Sequence, residues 1–151
     1  DALSRQFPAA TVLIMAAAVA DFRPKSQAIQ KLKKQGKSEL VLELEATPDI
    51  LAMLSARRTS QIVVGFAAET EHVVSHAKDK LRGKGLDLII ANDVTQAGGG
   101  FGSDDNAVVI LSAAGEQRVL GLMPKRRLAD EILTAVYELC LIAPRRESLV
   151  E

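Results

Sequence analysis

The stretch Thr11-Val12-Leu13-Ile14-Met15-Ala16-Ala17-Ala18-Val19-Ala20-Asp21-Phe22-Arg23-Pro24 decides the fold. Thr11 to Ala18 form a short apolar run without a helical stripe, and Asp21 and Pro24 terminate it. That pattern predicts a strand buried on both faces, which needs helices above and below its sheet. Outward from it, Leu40–Leu44 alternates weakly, and Ile62–Phe66 and Leu86–Ala91 are further short β-branched runs bounded by Gly65, Asn92 and Asp93. All three read as strands. Ala107–Leu111 and Arg118–Leu122 flank Ala114-Gly115-Glu116, a linker of the length that joins antiparallel neighbours, so a C-terminal hairpin is expected.

Three helices are predicted between these runs. The first has Thr47 as cap, Pro48 at the first helical position and Asp49 beside the positive end of the dipole, and extends to about Arg58. The second carries Val73, Ala77 and Leu81 on one stripe and stops near Gly83 and Gly85, residues suited to a left-handed cap. The third begins at Pro124 and repeats Leu128, Ile132, Ala135 or Val136, and Leu139 toward a core. Strands alternating with helices give an α/β class: a Rossmann-like three-layer sandwich whose mostly parallel sheet ends in an antiparallel hairpin. Ligands of such sheets bind beyond the carboxyl ends of the strands, which directs attention to the loops there. The longest irregular stretches are Phe22–Glu39 and Val94–Asn106, and loops of that length are often functional.

The bulk composition narrows the function classes. The chain has 151 residues, 48% hydrophobic and 25% charged, which suits one domain with a continuous core. Nineteen basic and nineteen acidic side chains cancel, so no net field favours nucleic acid or an anionic membrane. Aromatics at 3% and no tryptophan argue against a stacking platform for single strands. No signal-peptide pattern or membrane-length apolar run is present, and one cysteine, Cys140, forms no internal disulfide, so the expected location is cytoplasmic. Asp1 to Phe7 reads as the tail of an amphipathic helix, giving the expectation that the chain starts within a domain.

Several stretches offer chemistry, each with a plainer alternative. The small residues Ala16, Ala17 and Ala18 let a ligand approach the backbone with Asp21 as an acceptor, or they serve tight helix-on-sheet packing. Lys31-Leu32-Lys33-Lys34 could neutralise a polyphosphate, or be solvated surface. Lys80 and Lys84, four apart, could grip one ligand, or simply favour the negative end of a helix dipole. His72 and His76 share metal-ligand spacing but lack a third clustered ligand, so no metal site is expected. Gly98-Gly99-Gly100-Phe101-Gly102 lacks the lysine and hydroxyl of a phosphate loop and precedes a strand, so it reads as a flexible loop. Asp104-Asp105-Asn106 has too few oxygen ligands for a calcium loop, and Cys140 reads as packing on the last helix.

The order of motifs is more specific than any one of them. Ala-Ala-Val-Ala-Asp-Phe-Arg-Pro at 17–24, Lys-Leu-Lys-Lys at 31–34, Thr-Pro-Asp-Ile-Leu at 47–51, Val-Gly-Phe-Ala-Ala-Glu-Thr at 64–70, Ala-Asn-Asp-Val at 91–94 and Gly-Phe-Gly-Ser-Asp-Asp-Asn-Ala at 100–107 follow one another. Together they closely resemble the phosphopantothenate-cysteine ligase domain of the bacterial bifunctional coenzyme A biosynthesis flavoproteins, from about Phe7 to the last helix. The resemblance implies a ligase that uses CTP with Mg2+ to activate the carboxylate of 4'-phosphopantothenate as an acyl-cytidylate, then joins it to L-cysteine. It implies backbone contacts to the nucleotide from Met15, Ala16 and Ala17, and a contact from Asp21. Lys31 would act catalytically at the phosphates and reacting centre, Pro48, Asp49, Ile50 and Leu51 would meet the nucleotide, Phe66 would touch it, and Lys80 and Lys84 would hold phosphate oxygens. A homodimer, using the terminal hairpin, is the implied assembly, and a flavin-dependent decarboxylase domain the implied companion in the full-length protein. The family's first strand, glycine-rich turn and asparagine-containing segment are not found here, so residues 1–151 are expected to be a partial ligase domain. Two other classes compete: a dinucleotide-dependent reductase, which would need a Gly-x-Gly-x-x-Gly turn, and a non-catalytic dimerisation module, which would have no nucleotide affinity.

Overall fold

A computed structural model of the chain describes residues 2–34, 36, 39–93, 95, 98–99 and 102–142. Its elements run α1 (Ala2–Gln6), a 3-10 turn (Phe7–Ala9), β1 (Val12–Met15), β2 (Phe22–Pro24), β3 (Leu44–Ala46), α2 (Ile50–Ser55), β4 (Ile62–Glu69), α3 (Val73–Gly83), β5 (Leu88–Asp93), β6 (Asp105–Ser112), β7 (Gln117–Pro124) and α4 (Lys125–Ile142). Two units divide the chain: Asp1–Ala16 with Leu51–Glu151, and Ala17–Ile50.

The first unit is built on a five-stranded sheet in the order β1-β4-β5-β6-β7. β1, β4 and β5 are parallel, and β5, β6 and β7 are antiparallel neighbours. The parallel strands and the terminal hairpin are as the sequence predicts, but β1, expected to be buried on both faces, stands at the edge of this sheet, ends at Met15 and has no buried residue, with Ile14 38% exposed. Side chains alternate across each strand. Ile62, Val64, Leu88, Ile90, Val108 and Ile110 form one buried face against Leu128, Ile132, Ala135 and Val136 of α4. Val63, Ile89 and Leu111, equally buried, alternate to the other face, the side of α3, whose Ala77 and Leu81 are also buried. Helices therefore cover both faces of this unit's sheet. Each buried Val, Leu or Ile contributes about 1.5–3 kcal/mol against an exposed reference, which makes these two faces the dominant source of stability.

Local signals set the ends of the elements. The chain leaves α3 through Gly85 at φ +60, the left-handed residue expected there. Asp87 then ties three segments: its Oδ2 accepts from Arg58 Nη1 at 2.6 Å and from the Val63 N–H at 2.8 Å, and its carbonyl accepts from the Ala113 N–H. Gly115, at φ +94, turns the β6–β7 hairpin, closed by Ser112 N–H on the Glu116 carbonyl. Within that hairpin the register shifts between Asn106 and Val108, so that Asn106 faces Met123 while Val108 faces Leu120. The extra residue on β7 is a bulge, and it lets Leu120 and Met123, three apart, both pack against the core.

The second unit is a short antiparallel ribbon, β2 with β3, in register Phe22↔Ala46, Arg23↔Glu45 and Pro24↔Leu44. This corrects the sequence reading in two places. The strand expected at Leu40–Leu44 begins at Leu44, and it pairs with a segment taken as loop, outside the main sheet. Neither strand has a buried face, so hydrophobic alternation could not reveal the pair. α2 likewise starts at Ile50, two residues after Pro48, and the Thr47 hydroxyl donates to the Ala20 carbonyl at 2.5 Å. It ends at Ser55, and i→i+3 bonds from Arg57 and Arg58 tighten the chain beyond it. Of the glycine run, Gly100 and Phe101 lie outside the described residues, as does Val94; Gly98 and Gly102 take positive φ of 81 and 77, as a loop would. Cys140 is exposed on α4 and does not pack in the core. No helix among the described residues is long and apolar enough to cross a membrane.

Candidate functional site

The pairing of β1 with β4 positions several of the expected residues in the first unit. Met15 is the register partner of Gly65, so their side-chain positions share a face. A Cβ on Gly65 would stand 3.2 Å from Leu51 Cδ2 and 2.7 Å from Leu86 Cδ1, which places Leu51 over the same glycine. Met15 and Leu51 thus each lie beside Gly65, where an added side chain would press on two leucine tips. Phe66, the next residue on β4, projects from the opposite face and is 39% exposed, a large aromatic left open in mid-strand. Ala16 follows β1 and is exposed.

The two expected phosphate-binding lysines fare differently. Lys80, on α3, donates to Glu69 Oε1 at 2.6 Å, so its charge is engaged by the last residue of β4. Lys84 is the residue after α3, half-buried, with its backbone N–H on the carbonyls of Arg82 and Lys80. Glu69 was given no role in the sequence reading, and only its place in Ala-Ala-Glu-Thr marked it. Its partner lies eleven residues on, across a strand-to-helix turn, where no local spacing rule links them. Glu69 Oε2 also faces His76 Nδ1 at 3.4 Å, and His76 meets the His72 ring edge-on at 5.8 Å. His72 itself sits at φ 48, a left-handed non-glycine residue leading into α3. Among the described residues no group of three or more His, Cys, Asp or Glu could hold a metal ion.

At the end of the neighbouring strand, Asp93 accepts from the Thr95 N–H at 2.8 Å and the Thr95 hydroxyl at 2.6 Å. These bonds hold its carboxyl below the ordinary 3.8, a small desolvation effect opposing them. The sheet thus ends in fixed carboxylates at Glu69 and Asp93, which are register partners on adjacent strands.

The other expected residues belong to the second unit. Asp21 accepts the Thr47 N–H on its carbonyl at 2.9 Å, so the ribbon sets Asp21 beside the Thr47-Pro48-Asp49 turn. Ala17, Asp21, Pro48 and Asp49 are exposed, and Ile50 is half-buried at the start of α2. Lys31 stands in the exposed segment after β2, remote in sequence from any regular element. A flexible exposed ammonium of this kind suits a mobile point charge for phosphate.

A Bacillus subtilis (strain 168) coenzyme A biosynthesis bifunctional protein CoaBC is 44% identical over 139 residues, covering 92% of this chain and 34% of the relative. The protein of the same name from Vibrio cholerae serotype O1 is 43% identical over 129 residues, covering 84% of this chain and 32% of its own length. The chain therefore spans about a third of the length of these curated relatives. Among solved structures, the C-terminal domain of coenzyme A biosynthesis bifunctional protein CoaBC superposes with a TM-score of 0.73 at 34% identity, covering 92% of this chain and 59% of that one. The model of the DNA/pantothenate metabolism flavoprotein C-terminal domain matches residues 1–139, and the chain belongs to that family.

Proposed function

We propose that this chain carries the phosphopantothenate-cysteine ligase activity of coenzyme A synthesis. The observation that supports it most is the family match over residues 1–139, with relatives named as coenzyme A biosynthesis proteins at 43–44% identity. In the reaction a carboxylate oxygen of 4'-phosphopantothenate attacks the α-phosphorus of CTP and pyrophosphate leaves. The amine of L-cysteine then attacks the acyl carbon and CMP leaves with the electron pair of the broken bond. Negative charge builds on phosphate oxygens in the first step, and positioned cations lower that barrier.

The residues fit this work by chemical type. Lys31, Lys80 and Lys84 supply cations, Phe66 an aromatic face, Asp21, Pro48, Asp49, Ile50 and Leu51 the contacts beside the ribbon and at the start of α2, and Met15, Ala16 and Ala17 backbone open to close approach. Mg2+ would arrive with the triphosphate, ligated by phosphate oxygens and water as is usual for that ion. The thiol in the reaction is the substrate's, so exposed Cys140 has no part in it. A homodimer and a companion flavin-dependent decarboxylase domain complete the proposal.

Calorimetric titration with CTP and with ATP, each with Mg2+, tests the reading. Saturable CTP binding with much weaker ATP binding is the expected result, and pyrophosphate release on adding 4'-phosphopantothenate should follow. Absence of both from the full-length protein would overturn it.

A further inference from the structure

We propose that Glu69 is a positioning residue that holds Lys80 ready for the nucleotide's phosphates; the inference rests on the ligase reading above. Glu69 ends β4, on the same face as Gly65, and its side chain is 11% exposed. Lys80 reaches it from α3 and remains 45% exposed at its own side chain. The carboxylate is therefore the inner, fixed partner and the ammonium the outer one, turned toward solvent at the carboxyl end of the strand.

An ammonium carries three donors, and Glu69 Oε1 takes one at 2.6 Å. Among the described residues no other acceptor engages the remaining two, which are left for acceptors arriving from outside. A carboxylate so far removed from water is costly to leave unpaired, so an incoming phosphate gains a second partner for Lys80 without breaking the first. His76, one turn before Lys80 on α3, stands with its Nδ1 3.4 Å from the other oxygen. A free lysine loses rotamer freedom when it binds phosphate; Lys80 has already lost it on folding. The carboxylate's own charge opposes a phosphate, but it is largely buried and already neutralised by Lys80, so orientation outweighs repulsion.

Calorimetric titration of the full-length protein with CTP and Mg2+, in wild type, Lys80→Met, Glu69→Gln and the double variant, tests this. Each single substitution is expected to weaken CTP about tenfold, the size of effect of one charged hydrogen bond. The double variant should be no weaker than Lys80→Met, because Glu69 acts through Lys80. Additive losses, unchanged or tighter binding in Glu69→Gln, or unchanged binding in Lys80→Met would each overturn the proposal. Should Glu69→Gln fail to fold, Glu69→Asp keeps the charge but withdraws it by one methylene; about threefold weaker binding is expected, and unchanged binding overturns the role. Wild-type protein without CTP affinity would instead overturn the ligase reading beneath it.

Discussion

The sheet unit excludes Val63, Val64, Ile90 and Ala91 wholly from water, whereas no described residue between Ala17 and Ile50 is buried. The first region is held by apolar packing on two faces. The second is a two-stranded ribbon with the exposed pairs Arg23–Glu45 at 2.7 Å and Lys25–Glu43 at 3.8 Å. Exposed pairs contribute about 0–1 kcal/mol each, and such a ribbon is marginal in water by itself. The contrast teaches where freedom lies: residues of the ribbon are constrained little by the core, so their identities are available for binding.

The largest effect is expected where that contrast is sharpest. Ile90→Ala, on a central strand at 0% exposure, should cost about 2–5 kcal/mol in denaturant unfolding. A loss under about 1 kcal/mol would mean that the sheet is not the stabilising region. Gly65→Ala comes next, because its Cβ would meet Leu86 Cδ1 at 2.7 Å and Leu51 Cδ2 at 3.2 Å. About 1–3 kcal/mol is expected, toward the lower end since both contacts are the tips of leucine side chains.

Smaller again is the acid sensitivity of Asp93. Its folded-state pKa lies below the unfolded value, so its contribution is present above the ordinary 3.8 and is lost as pH falls through the lowered folded value. Thr95→Ala, which removes the hydroxyl bond and keeps the backbone N–H bond, should reduce that acid limb in melts recorded across the range, and an unaltered limb would remove the Thr95 hydroxyl as its cause. Smallest in stability is Lys31→Ala, expected within about 0.5 kcal/mol of wild type, although pyrophosphate release should fall about a hundredfold or more if the lysine serves the reacting phosphates. A folding defect in that variant would break the comparison, and unchanged turnover would remove Lys31 from the mechanism.

Much of the sheet was legible because burial on both faces leaves a continuous apolar run, as in Ile62-Val63-Val64, and because α4 repeats Leu128, Ile132 and Ala135 at helical spacing. The ribbon was not, since Phe22–Pro24 and Leu44–Ala46 bury nothing and leave no periodic trace. The bulge in β7 hid a further fact: strict alternation puts Leu120 and Met123 on opposite faces, yet both meet the core. At the candidate site, the placing of Met15 and of Leu51 beside Gly65 depends on parallel pairing across a long stretch of chain and on packing of α2, and Glu69–Lys80 on a strand-to-helix turn. Motif order named most of these residues; only coordinates could say which ones touch.

The parallel pairing of β1 with β4 makes everything from Ala16 to Gln61 one closed loop, whose ends are fixed by Met15 on Gly65 and by the Thr11 carbonyl on the Ile62 N–H. Closing a loop costs entropy that grows only with the logarithm of its length, about 0.6 kcal/mol for each doubling. Length changes in the exposed part of that loop, between β2 and β3, are therefore nearly neutral for the sheet, whereas the part that carries α2 is packed, with Leu54 only 1% exposed. The exposed stretch between β2 and β3 can thus change in length or in side chains while the scaffold that anchors its ends stays the same.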